Sequence, residues 1–107
     1  MDTKGYKEGT MFARVSTIQG KPEQAEDGIR NYREQVMPAA KKMAGFKGAY
    51  LLVDRKSGKE VSITLWDTKR NLQDSSKAAD QLRAQASQIV AASKPPIVEI
   101  YEVAVQP

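Results

Sequence analysis

The segment 61–66 constrains the fold more than any other part of the chain. Its side chains alternate between apolar and polar and end in Trp66, the only tryptophan of the sequence. That period of two is typical of a strand. Asp67 and Thr68 follow at once, and both are common at the start of a helix. A strand that passes directly into a helix places a helical layer beside a sheet, and we predict a ligand site at this junction.

Three other segments have the composition of strands. They are residues 11–19, 46–54 and 97–105. A short polar turn joins the second of them to the strand that ends at Trp66, and its Gly58 can adopt a positive φ. Because two strands with so short a link form an antiparallel hairpin, these two are predicted to be neighbours in the sheet.

Helical spacing of apolar residues occurs twice, after the first strand and after Trp66. The first helix is predicted to begin near Pro22, because the first turn of a helix tolerates proline. Pro38 should kink this helix or end its regular part, because proline lacks an N–H. The second helix is predicted to begin at Ser75 or Ser76, with residues 69–73 as an irregular lead-in.

The resulting order is β-α-β-β-α-β. It predicts an α+β, ferredoxin-like fold, in which two helices cover one face of a four-stranded antiparallel sheet. We assign residues 11–107 to this single domain and residues 1–10 to a flexible N-terminal tail. The tail is polar, which is not typical of a secretory signal.

Composition excludes several classes of chemistry. The chain has no Cys and no His, so disulfides, thiolate nucleophiles and Ser-His catalysis are excluded, and no metal or other cofactor is predicted. The absence of Cys suits a reducing cytoplasm. The net charge of +4 is modest and its charges are interspersed, which does not favour a nucleic-acid surface. The sequence also has no apolar run long enough for a membrane span.

The sheet is predicted to be buried on both faces. Val61, Ile63 and Leu65 point to one side of their strand, and Ser62 and Trp66 point to the other. The last strand is also apolar on both sides. Helices can cover only one face, so the other is predicted to form a homodimer by sheet-to-sheet packing.

Three segments resemble the antibiotic biosynthesis monooxygenase (ABM) superfamily. They are the Gly-Phe strand at 45–54, the turn at 56–59 and the strand end at 62–67. The resemblance spans roughly residues 11 to 105. It implies a dimeric α/β barrel, in a group that contains cofactor-free quinone-forming monooxygenases, haem-degrading enzymes, isomerases and members without assigned activity.

The resemblance also implies which activities fit. Haem-degrading members use an Asn, a Trp and a His at positions that are here Ala13, Ser75 and Gln85, so haem degradation is not expected. Quinone-forming members combine a strand-end Trp with an Asn four residues earlier and an Arg on the second helix. Trp66 is retained here, Ser62 replaces the Asn, and the nearest helix arginine is Arg83.

The candidate site residues follow from the resemblance and from the strand pattern. The predicted catalytic residues are Trp66, Ser62 and Arg83. The predicted substrate-binding residues are Arg14, Thr64 and Tyr50. Each has a purely structural alternative: Trp66 as a core residue, Arg83 extending to the surface, and Arg14 in an ion pair with Glu99 or Glu102.

Two functions remain open. The first is a cofactor-independent monooxygenase that acts on a small aromatic or phenolic compound. The alternative is a non-catalytic, dimeric protein of the same fold that binds a small ligand or is associated with stress. An RNA-recognition module shares the element order, but the strand at 59–66 lacks the two stacking aromatics such a module displays.

Overall fold

The computed structural model describes residues 9–107 and shows one antiparallel sheet. Its strands are β1 (Phe12–Gln19), β2 (Phe46–Val53), β3 (Lys59–Trp66) and β4 (Ile97–Glu102). They lie in the order β2-β3-β1-β4. The predicted α+β ferredoxin-like layout is confirmed, although β4 is three residues shorter than predicted. The predicted tail over residues 1–10 lies outside the described residues except for Gly9 and Thr10.

The helices form one layer over the sheet. They are a 3-10 turn (Pro22–Gln24), α1 (Ala25–Asn31), a π-helical segment (Tyr32–Val36), α2 (Met37–Lys41), α3 (Lys69–Asp74) and α4 (Ser76–Ile89). None of the helices between residues 9 and 107 is long and apolar enough to cross a bilayer. Phe12 of β1, Trp66 of β3 and Leu72 of α3 pack together as the core beneath this layer.

The π-helical segment is where Pro38 disturbs the first helix, as predicted. Proline has no N–H to donate and crowds the turn before it. The preceding five residues widen into a π turn, in which Met37 N–H donates to the carbonyl of Tyr32 five residues back. Single π turns inside helices are frequent at functional sites, and Tyr32 of this segment contributes to the pocket described below.

The segment after Trp66 differs from the predicted irregular lead-in followed by a serine-capped helix. Residues 69–73 belong to the regular helix α3, because Thr68 caps it by accepting a hydrogen bond from Asn71 N–H at 3.0 Å. Ser75 does not cap α4 with its side chain. Its hydroxyl instead donates to the carbonyl of Leu72 at 2.6 Å, so the two helices meet at a hydrogen-bonded corner.

Three loops meet at the end of the sheet far from Trp66. Gly20 N–H donates to the carbonyl of Gly58 at 3.2 Å, and Lys21 N–H donates to the carbonyl of Val90 at 2.9 Å. Gly58 has φ +81°, as its turn was predicted to require. The β2–β3 turn, the β1–α1 loop and the end of α4 are thereby joined, and together they close this end of the helix–sheet interface.

The other face of the sheet is apolar, and no segment of residues 9–107 covers it. Large apolar side chains there include Tyr50 and Leu52 of β2 and Ile97 of β4, which are 60%, 51% and 56% exposed. All six residues of β4 are exposed. The helices therefore cover one face and leave β4 open on both sides.

Candidate functional site

A narrow pocket lies between the sheet and the helices. Its volume is about 70 Å³, several times the roughly 10–15 Å³ that one water molecule needs but below the hundreds of Å³ of most ligand sites. The polar residues that line it are Arg14, Ser16, Asn31, Tyr32, Glu60, Ser62, Thr64 and Arg83. So many polar groups are unusual between a sheet and its helices, because burying a polar group without a partner costs free energy.

The floor of the pocket consists of two paired strand rows. Ser62 and Thr64 of β3 face the helices, as predicted from the alternation of that strand. They lie directly opposite Ser16 and Arg14 of β1. Because side chains on one strand face recur every second residue, Glu60 continues the same row beyond Ser62.

Arg14 is a buried cation held by neutral oxygens. Its guanidinium donates to the carbonyl of Leu72 at 2.8 Å and to the hydroxyls of Ser75 and Ser76 at 3.1 and 3.2 Å. It also lies 5.8 Å from the centre of the Trp66 ring, within cation–π range. The ion pair with Glu99 or Glu102, considered from sequence, is not formed.

Arg83 of α4 reaches the same pocket from above. Its guanidinium donates to the Ser16 hydroxyl at 3.4 Å and pairs with Asp80. The side chain is only 13% exposed, so it does not extend into solvent. Burial, and next the charge of Arg83, lower the pKa of Arg14. The charge of Asp80, which pairs with Arg83, partly opposes this lowering of the Arg14 pKa.

Tyr32 closes the pocket on the opposite side. Its hydroxyl lies 2.8 Å from the Ser62 hydroxyl and donates to the carbonyl of Tyr50 at 3.4 Å. Burial raises the pKa of the Tyr32 phenol, an effect that the hydrogen bond with Ser62 partly opposes. Tyr32 thus holds Ser62 in place as a neutral hydrogen-bonding group.

Glu60 is a functional candidate that the sequence reasoning missed. The residue is 6% exposed, and its Oε2 atom has no hydrogen-bond partner among residues 9–107. The carboxyl group packs against Gly28 of α1, where an added Cβ would lie 2.4 Å from Oε2. Burial raises the pKa of Glu60. The available signal was its position two residues before Ser62, on the inward row of the same strand.

We expect Glu60→Met to stabilise the protein at alkaline pH. The raised pKa means that the folded state binds more protons than the unfolded chain, so wild-type stability falls as the pH rises above the ordinary value of 4.5. Methionine fills a similar volume without an unpaired carboxylate, so the free energy of unfolding at pH 8 should rise by about 1–3 kcal/mol. Urea unfolding at pH 8 and pH 4 measures the difference.

The matched control for this substitution is Glu34→Met, on the exposed side of the π-helical segment. It should change stability little at either pH. An equal gain for Glu60→Met at both pH values would contradict the prediction, because it would show that ionisation of Glu60 carries no cost.

Trp66 serves both the core and the pocket. It is 1% exposed and packs edge-to-face on Phe46, with ring centres 5.8 Å apart. Its indole N–H donates to the Thr64 hydroxyl at 3.0 Å. Most of the Trp66 ring is therefore a core element, the structural alternative considered from the sequence, while part of the residue lines the pocket.

The pocket unites five of the six predicted site residues. They are Trp66, Ser62, Arg83, Arg14 and Thr64. Tyr50 is not among the lining residues: it lies on the uncovered face, opposite Ile63. Its predicted grouping with the other five does not hold, because adjacent strand positions point to opposite faces. Between residues 9 and 107, no three Asp or Glu residues cluster as a metal site.

Solved structures share this fold. A monooxygenase from the gene ActVA-Orf6 of Streptomyces coelicolor, in complex with nanaomycin D, aligns with a TM-score of 0.72 at 18% identity, over 94% of this chain and 96% of that one. A protein from Nitrosomonas europaea, proposed to be an antibiotic biosynthesis monooxygenase, aligns with a TM-score of 0.70 at 16% identity, over 92% and 95%. A dimeric ferredoxin-like protein from an uncultured marine organism aligns with a TM-score of 0.67 at 12% identity, over 92% of each chain.

These alignments show that the chain has a fold of the ferredoxin-like α+β class. Within that class it has the fold of the antibiotic biosynthesis monooxygenase superfamily, as its sequence motifs predicted. No protein-family model matches the sequence.

Sequence relatives lie in Mycobacterium tuberculosis. The chain is 35% identical over 99 residues to the uncharacterized protein Rv2557 of strain H37Rv, covering 92% of this chain and 43% of that protein. It is 34% identical over 83 residues to the uncharacterized protein Rv2558 of the same strain, covering 78% and 35%. The chain therefore spans less than half the length of these relatives.

Proposed function

We propose that the protein is a homodimeric, cofactor-independent monooxygenase that acts on a small phenolic compound. The observation that carries the proposal is the convergence of Arg14 and Arg83 on one pocket beside Trp66. The two cations suit the anionic group of a flat ligand, which must widen the free volume of about 70 Å³ in order to enter. The complex of the Streptomyces coelicolor monooxygenase with nanaomycin D supports an aromatic ligand, and the absence of Cys suits a reducing cytoplasm.

The proposed chemistry needs no cofactor to balance. The phenol loses its proton, and the ring carbon that gains electron density forms a bond to dioxygen. The O–O bond of the resulting ring peroxide then breaks as the ring C–H proton is lost: the inner oxygen stays on carbon as the second quinone carbonyl, and the outer oxygen leaves as water with the two protons lost from the phenol. Phenol and dioxygen thus give quinone and water. Arg14 and Arg83 stabilise the negative charge that spreads over the ring oxygens. The buried pocket excludes bulk water from this step.

The homodimer is supported by the uncovered sheet face. Tyr50 and Leu52 of β2 and Tyr101 of β4 lie on that face and are at least half exposed. A patch of this kind usually marks an interface. A second copy of the same face would bury it with two-fold symmetry.

Naphthols test the proposed activity. Trp66 is the only tryptophan, so its fluorescence reports directly on a ring that enters the pocket. We expect saturable quenching by 1-naphthol together with oxygen uptake. Arg83→Leu should weaken binding by about 10–100-fold, the value of one hydrogen bond to a charged group. The control is Arg70→Leu, which removes an arginine with a 68% exposed side chain on α3.

The outcomes separate the possible functions. Quenching that Arg83→Leu and Arg70→Leu weaken equally would exclude the arginine-lined pocket as the binding site. Quenching without oxygen uptake would leave a non-catalytic ligand-binding protein. The specific observation that favours this alternative is that the Arg14 and Tyr32 side chains already bond to neighbouring protein groups, which suits a structural role for them better than a catalytic one.

A further inference from the structure

Glu60 is the residue of the pocket whose burial is not explained by any contact that stabilises the fold. It is buried, its Oε2 atom has no hydrogen-bond partner in the part of the chain that the structure describes, and it lines the same cavity as the two arginines. A carboxyl group kept in this state costs stability. Costly buried polar groups of this kind concentrate where a ligand completes their hydrogen bonds.

Glu60 and Arg83 lie at different points along the floor of the pocket. Arg83 donates to Ser16, which is paired with Ser62. Glu60 lies two residues farther along the same face of β3, which corresponds to roughly 6.6 Å of strand. The Glu60 carboxyl group and the Arg83 guanidinium therefore belong to different positions along the floor of the pocket, so a ring that lies between them presents opposite ends to the two groups.

The pocket wall between these points is apolar. Ile18 of β1 is paired with Glu60, and Leu82 and Ala86 of α4 also line the cavity. These side chains offer a ring two hydrocarbon surfaces, one on the sheet and one on the helix. Gly28 also lines the cavity, and the Glu60 carboxyl group and the Val90 side chain both lie against it.

We propose that Glu60 accepts the hydroxyl proton of a small aromatic acid, the anionic group of which is held by Arg83 and Arg14 at the opposite end of the ring. The inference rests on the proposed function and specifies its substrate class. The bond that breaks is the ligand O–H, its proton passes to Oε2 of Glu60, and the electron pair stays on the ligand oxygen. Conjugation through the ring then carries that charge toward the arginines.

The environment of Glu60 suits a proton acceptor. Its pKa is raised by burial, which moves it toward that of a phenol and lowers the cost of the transfer. The other titratable groups that face the pocket are Arg14 from β1, Tyr32 from the π-helical segment and Arg83 from α4, with Asp80 bound to Arg83 at its rim. Among these, Glu60 is the carboxyl group that lines the cavity.

Calorimetric titration with 4-hydroxybenzoate and 4-methoxybenzoate at pH 7 tests the proposal. Both probes carry the carboxylate and have the same ring, but only the first has a hydroxyl proton to donate. We expect the wild type to bind 4-hydroxybenzoate about 10–100-fold more tightly, as for a hydrogen bond to a charged group. Glu60→Gln should reduce this preference to less than threefold. The exposed Glu34→Gln should leave the preference unchanged.

Circular dichroism confirms that each variant is folded, and Glu60→Asp gives a second reading. Aspartate keeps the carboxyl group but shortens its reach, so it should keep only part of the preference. Equal affinities in the wild type, no detectable binding of either probe, or a preference that survives Glu60→Gln would overturn the proposal. If the protein oxidises naphthols but binds the two benzoates equally, the role of Glu60 is wrong while the proposed monooxygenase function stands. If it prefers 4-hydroxybenzoate but takes up no oxygen, the role of Glu60 stands and the monooxygenase function is wrong.

Discussion

Leu52→Lys is expected to convert the protein from a dimer to a monomer at micromolar concentration. Leu52 lies on the uncovered sheet face and is 51% exposed in the single chain. In a two-fold dimer the substitution occurs twice, and each lysine would be buried without a partner charge. A central interface residue is worth about 2 kcal/mol or more, so the dissociation constant should rise roughly 1,000-fold. Sedimentation velocity over a concentration series measures it.

The control for Leu52→Lys is Ile89→Lys at the end of α4. Ile89 is also a partly exposed aliphatic residue, at 36%, but it lies in the helical layer. It should leave the dimer intact. A wild type that sediments as a monomer, or a dimer that Ile89→Lys disrupts and Leu52→Lys does not, would contradict packing through the sheet face.

Gly58→Ala is expected to destabilise the protein by about 2–5 kcal/mol. Gly58 has φ +81°, and an added Cβ would lie 2.4 Å from the carbonyl oxygen of Gly20 and 2.6 Å from the nitrogen of Pro22. The left-handed backbone costs an L-residue about 1–2 kcal/mol, and overpacking adds a further 1–3 kcal/mol. For a domain of this size the midpoint of thermal unfolding should fall by at least about 8 °C.

Gly9→Ala separates the two causes of that loss. Gly9 has nearly the same backbone angle, φ +85°, but nothing lies within 4 Å of an added Cβ. It should therefore cost only the backbone term. If both variants lose equal stability, the contact between the β2–β3 turn and the β1–α1 loop is unimportant, and the closed end of the pocket is not held by Gly58.

Local sequence signals predicted the elements well. The alternation at 61–66 gave β3 its face assignment, Pro38 coincides with the interruption of the first helix, and Gly58 has the positive φ its turn requires. These features depend on residues close in the chain. One local signal was misread: residues 69–73 form regular helix because Thr68 caps them. Tyr50, predicted to bind substrate, lies on the uncovered sheet face and not in the pocket.

The site was only partly predictable, because its contacts join distant residues. Arg14 bonds to Ser75, 61 positions away, and Arg83 bonds to Ser16, 67 positions away. From sequence, Arg14 could equally have paired with a carboxylate on a neighbouring strand. Glu60 resembled an ordinary charged residue at the start of a strand, since nothing local indicates that Gly28 leaves room for its carboxyl group.

The sequence by itself determined the order of strands and helices, the hairpin turn and the apolar face that a partner is proposed to cover. Each follows from backbone preference or from the period of two along a strand. Only the tertiary structure decided that Arg14, Arg83 and Glu60 share one pocket beside Trp66. That outcome depends on which face of each strand the helices cover and where they cross the sheet, and packing between distant segments sets both.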